Sequence, residues 1–193
     1  MYLFFLNILF LSYQKLVNLF TSLNTSYMIT DGSLLQMYRN CSTGLSDVDF
    51  VIDLGWWRNN HVKMVGELIK RGFRMEKRFG DLSEGFGYAE AWRRSGQKVD
   101  LYSNIFDDQF SIAGLWVGID VLPCYMRVER IVQYQWLEGV VVRGPHPIQD
   151  ALISAYGHNY MYSIDKWVWD RDHFVSGYCR YQKLSFNGTS KKR

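Results

Sequence analysis

Asp47 and Asp49 flank a single valine at the head of an apolar run, Asp47-Val48-Asp49-Phe50-Val51-Ile52. Alternate side chains of a strand share a face, so both carboxylates point the same way from Cα atoms about 7 Å apart. Carboxylates that converge repel one another unless a cation lies between them. Hard oxygen ligands of this kind suit Mg²⁺ or Mn²⁺. Upstream, Asp31-Gly32-Ser33-Leu34-Leu35 reads as a turn entering a helix, where backbone N–H groups can receive a phosphate at Gly32 and Ser33. Asp100 is a lone acid between Val99 and Leu101 and faces opposite to both. Adjacent strands lie about 4.8 Å apart, so Asp100 can join Asp47 and Asp49 as a third carboxylate. Arg39 follows the turn with a guanidinium that matches phosphate geometry.

An isolated Asp-x-Asp is a common triplet. Its weight here comes from the turn before it and the acid after it. The chemistry these residues suggest is phosphoryl or nucleotidyl transfer. A divalent ion on Asp47, Asp49 and Asp100 would neutralise phosphate oxygens during in-line attack by an acceptor hydroxyl. Asp100 is either a metal ligand or the base that takes the acceptor proton, and the sequence leaves both open. Asp53 shares the face of Asp49 but lies roughly 13 Å further along, too far to share a metal, and reads as structural.

The elements that must position these groups follow from periodicity. The residues 1–24 carry a helical stripe, Leu6, Leu9, Phe10, Tyr13, Leu16, Val17 and Phe20, which predicts an amphipathic helix able to rest on the domain or touch a membrane surface. A strand over 27–30, a short helix over 34–38 and a strand over 47–54 come next. Asn60 is the expected N-cap of a helix whose buried stripe is Val62, Val65, Leu68 and Ile69, with Gly72 beyond its end. A strand over 73–79 and a hairpin of 86–92 with 98–102 follow, joined by about five residues. A short strand over 140–143, closed by Gly144-Pro145-His146-Pro147, leads to a helix over 148–156. This order is α+β with a small mixed sheet, in a single domain.

Composition narrows the function further. With 193 residues, 48% of them hydrophobic, the chain can bury one sizeable core. A net charge of +3 and no basic stripe argue against a nucleic-acid partner. Three cysteines without a CxxC, and four histidines without HExxH spacing, give no zinc site.

The stretch ITDGSLLQMYRNCSTGLSDVDFVIDL resembles the family of fukutin, fukutin-related protein and the LicD phosphocholine transferases: a Gly-Ser-Leu-Leu turn, an arginine, then a strand with Asp-x-Asp. KVDLY (98–102) and GPHPIQDALISAYGHNYM (144–161) are similar to the family's later strand and closing segment, so the resemblance covers 25–181, leaving 182–193 as a basic tail. The resemblance implies a nucleotidyltransferase-like sheet and Mg²⁺ or Mn²⁺. It implies transfer of a phospho-alditol or phosphocholine unit from a CDP-activated donor to a glycan, in the Golgi lumen. It assigns Asp47, Asp49 and Asp100 to the metal and catalytic positions, and Gly32 and Ser33 to the phosphate turn. The loop from Arg39 to Asp47 is shorter than the family's and lacks its Ile-Pro element. The other reading is therefore an inactive relative that binds a glycan or a partner enzyme.

Overall fold

The structure, a computed structural model, describes residues 13–39, 47–83, 87–106, 110–117, 120–135 and 140–161, with side chains omitted at 47, 110, 112–117 and 120–125. The first helix, α1, is helical over residues 13–22. It is followed by β1 (Tyr27–Ile29), α2 (Asp31–Tyr38), β2 (Asp47–Asp53), α3 (Leu54–Lys70), β3 (Arg74–Phe79), β4 (Ala89–Arg94) and β5 (Gln97–Phe106). Then come β6 (Phe110–Val117), β7 (Asp120–Arg127), β8 (Arg130–Gln135), β9 (Val141–His146) and α4 (Ile148–Tyr156). This is the α+β class with the mixed sheet that the sequence predicts.

The main sheet runs β1-β2-β5-β4-β3, and β6 and β7 continue from the far end of β5. Only the β2–β5 pairing is parallel among the described pairs; the rest are antiparallel. A second sheet pairs β8 with β9.

One face of the main sheet is apolar. Val48, Phe50 and Ile52 of β2 stand beside Val99 and Leu101 of β5, all buried. Helix α1 lies on this face. Tyr13, Leu16, Val17, Leu19 and Phe20 are buried, and Phe20 meets Phe50 edge-on at 5.1 Å between ring centroids. The part of the predicted amphipathic helix before residue 13 lies outside the described residues, as does the basic tail. No helix among the described residues is long and apolar enough to cross a membrane.

Helix α3 covers the same face further along, and it differs from the sequence expectation. Asp53 caps it, accepting the Trp56 N–H at 2.7 Å, whereas Asn60 is inside the helix and donates to the Trp56 carbonyl. An Asp at the N-cap captures an N–H three residues on, and this starts the helix seven residues before the Asn60 position. The buried stripe is Leu54, Trp57, Met64 and Leu68; Val62 and Ile69 are 86% and 60% exposed. The hairpin is tighter than predicted. Ser95 and Gly96, both at positive φ, form a two-residue turn between β4 and β5, as the right-handed strand twist favours.

Candidate active site

The opposite face of the main sheet carries the acids. Asp49 and Asp100 are register partners across the parallel β2–β5 pair, and Ala91 of β4 lies on the other side of Asp100. Parallel neighbours sit about 4.8 Å apart at the backbone. Both aspartates are only 9% exposed. Asp47 is in register with Lys98; its side chain is outside what the structure describes.

Lys98 lies two residues before Asp100, on the same face, and its Nζ donates to Asp100 Oδ2 at 2.6 Å. An ammonium thus occupies a cation position on this carboxylate. Tyr102, two residues after Asp100, completes the row. Burial pushes its phenol well above the usual value, and Asp49, Asp100 and Asp31 push it further. Tyr102 therefore marks where three carboxylates share one neighbourhood. Neither Lys98 nor Tyr102 was singled out from sequence, although the period-two spacing around Asp100 places both on its face.

The Gly32–Ser33 turn comes to these acids through β1. Thr30 N–H donates to the Asp49 carbonyl at 3.2 Å. The Asp49 N–H donates in turn to Ser33 Oγ at 2.8 Å, in a buried bond. Gly32 and Ser33 open α2, whose packing against β2 and α4 fixes the turn beside the acids. Arg39 ends α2, and its guanidinium donates to the Tyr160 carbonyl. Asp53 is structural, as read from sequence.

Beside Asp100 a cavity of about 340 Å³ extends over β4 and β3. Ala89 and Ala91 line it as small side chains, and Lys77, Arg93 and Tyr102 also border it. The turn is on the β1 side of the acid pair and the cavity on the β4 side, so the carboxylates stand between two approaches.

The donor set fits a hard divalent ion: the largely buried carboxylates of two register partners, one already meeting a cation. Among the described residues, no three His, Cys, Asp or Glu side chains converge tightly enough to hold a metal by themselves.

Behind the sheet, on the α3 face, lies a separate polar cluster. Glu90 is buried and accepts from the Tyr88 hydroxyl, from His61 Nε2 at 2.5 Å and from Trp92 Nε1 at 2.8 Å. Burial raises the Glu90 carboxyl, but these three donors outweigh it and hold the group below the ordinary carboxylate range. Sequence reasoning gave no sign of this cluster, because its members come from α3 and β4.

Comparison with known proteins places the fold. The chain is similar to the crystal structure of the nucleotidyltransferase ANT(2'')-Ia in complex with adenylyl-2''-tobramycin, at a TM-score of 0.51 and 12% identity, covering 89% of this chain and 86% of that one. A solution structure of the antibiotic-resistance factor ANT(2'')-Ia gives 0.47 and 14% identity, over 84% of this chain and 77% of that one. The fold is nucleotidyltransferase-like. No protein-family profile matches the chain and no curated protein matches it. The resemblance to the fukutin and LicD family is thereby corrected. Its motifs are short, and the likeness that the whole chain carries is to the nucleotidyltransferase-like fold.

Proposed function

We propose that this protein is a metal-dependent nucleotidyltransferase acting on an acceptor hydroxyl. The observation that carries this reading is the register pairing of Asp49 with Asp100, tied to the Gly32–Ser33 turn through the Asp49 N–H bond to Ser33 Oγ. Mg²⁺ or Mn²⁺ held by Asp49 and Asp100, with Asp47 as a third ligand, would supply charge neutralisation of the phosphate oxygens. The turn receives the donor's phosphates at the N–H groups of Gly32 and Ser33. The cavity over Ala89 and Ala91 admits the acceptor from the other side. The acceptor oxygen forms a bond to the α-phosphorus as the bond to the pyrophosphate oxygen breaks. Asp100 borders the cavity, which suits it to take the acceptor proton.

The adenylyl group carried by the similar ANT(2'')-Ia complex makes ATP the first donor to test. Transfer of a phospho-alditol or phosphocholine unit from a CDP donor to a glycan loses its main support with the corrected resemblance, and the donor screen can include CDP-ribitol as a direct check. The test is Mg²⁺- or Mn²⁺-dependent release of pyrophosphate from ATP, CTP, GTP and UTP across a panel of hydroxylated acceptors. Release that is unchanged in the Asp49→Ala, Asp100→Ala double variant, or absent with every donor, ends this reading.

A further inference from the structure

The junction of β1 and α2 holds a carboxyl that the fold does not use. Asp31 has φ of 45°, in the left-handed region that L side chains avoid. It is 6% exposed, and its Oδ1 has no hydrogen-bond partner. Thr30 Oγ1, fully buried beside it, has none either. Backbone strain and unpartnered buried polar atoms each cost free energy, and they persist together mainly where a ligand is met. Their position fits this explanation. Asp31 directly precedes Gly32 and Ser33, and shares the surroundings of Tyr102 with Asp49 and Asp100.

We propose that Asp31 is a further substrate-contacting residue, whose carboxyl, together with the Thr30 hydroxyl, hydrogen-bonds a phosphate oxygen of the donor at the Gly32–Ser33 turn. This deepens the nucleotidyl-transfer reading and rests on it. Phosphate oxygens only accept hydrogen bonds, so Asp31 must donate in its acid form. Burial raises the Asp31 carboxyl to about 7. Asp31 acts on the Tyr102 phenol of β5, as do Asp49 from β2, Asp100 from β5 and Tyr156 from α4, and none of these groups is a cation. The ammonium of the acid row, Lys98, donates to Asp100. In the metal-free site the acid form is therefore the one favoured at and below neutral pH.

The experiment is calorimetric titration of the full chain with inorganic tripolyphosphate, without divalent metal, from pH 5.5 to 8.5. The wild type is compared with Asp31→Asn, Asp31→Ala and Thr30→Val. Asn tolerates the left-handed conformation and keeps a donor that does not titrate, so it carries the ligand's own pH dependence as a baseline. The proposal expects the wild type to match Asp31→Asn at pH 5.5 and to bind about tenfold more weakly than it at pH 8.5. Asp31→Ala, if folded, should be weaker than Asp31→Asn at every pH, and Thr30→Val weaker than the wild type. Identical profiles for the wild type and Asp31→Asn overturn the proposal, as does loss of all binding in Asp31→Asn, which would make the ionised carboxylate the ligand. Binding that ignores Asp31 while pyrophosphate release still requires Asp49 and Asp100 sinks this inference and leaves the nucleotidyl-transfer reading intact. Absence of tripolyphosphate binding in the wild type sinks this inference, and the pyrophosphate-release assay then decides the other.

Discussion

Asp49 and Asp100 are direct partners on the parallel strands β2 and β5, and the Asp49 amide is bonded to the Ser33 hydroxyl. One residue thus holds two relationships: its carboxylate to the acid row, its backbone to the phosphate turn. A shift of β2 by one position would break both at once, because the period-two alternation would send the carboxylate to the apolar face.

Replacing either acid should test the pair while sparing the fold. Asp49→Asn and Asp100→Asn keep size and shape but lose charge. Each is expected to lower metal-dependent pyrophosphate release by on the order of a hundred- to a thousandfold. The double variant should cost little more than the worse single one, since residues that act as a unit are not additive. Steady-state rates together with far-ultraviolet circular dichroism check this.

Ser33→Ala removes the acceptor for a buried N–H. Leaving that group unpartnered should cost about 1–3 kcal/mol, read as a lower urea midpoint at unchanged slope. Ser33→Thr keeps the hydroxyl and should recover part of the loss.

Glu90→Leu should be more damaging to stability than its distance from the acids suggests. It takes the acceptor from buried Trp92 Nε1 and one of two partners from the Tyr88 hydroxyl and His61, which still reach each other at 3.1 Å. A loss of about 1–3 kcal/mol is expected. The sign with pH follows from the lowered Glu90 carboxyl. Its ionised form stabilises the fold at neutral pH, and that contribution fades as pH falls through the folded-state value. The gap between wild type and Glu90→Leu, measured by thermal melting, should therefore narrow in acid.

Asp31→Asn should do the reverse. The Asp31 carboxyl stands at about 7 in the fold against an ordinary 3.8. The folded state holds this proton more tightly, so its ionisation destabilises the fold progressively as pH rises between those two values. Removing the titration should stabilise the protein at pH 8 by up to about 4 kcal/mol, and by nothing below pH 3.5. Equal melting temperatures for the two proteins at pH 8 would show that the carboxyl is not held neutral by burial.

Much of the frame was legible in sequence because it rests on local patterns. The alternation Asp47 to Asp53 predicted β2, and residues 148–156 predicted α4 at its observed bounds. What escaped was set by distant partners. The buried side of α3 is chosen by the sheet beneath Trp57 and Met64, and so Val62 and Ile69 turn outward despite being apolar. The strands β6, β7 and β8 lack strong alternation; β6 and β7 are placed by each other and β8 by β9. In the acid row, the carboxylates announced themselves by charge. Lys98 and Tyr102 did not, because a lysine and a tyrosine in a strand are ordinary until their register is known. Asp31 read as a turn residue; its burial and left-handed φ are tertiary facts.

The parallel pairing of β2 with β5 also has a temporal meaning. Two parallel strands cannot be joined by a tight turn, so α3, β3 and β4 must all be made and folded back before Asp100 reaches Asp49. During synthesis, the emerging chain exposes Asp49 and the Gly32–Ser33 turn long before the partner carboxylate exists. The acid pair therefore assembles only after α3, β3 and β4 have emerged, with β6 to α4 still to follow.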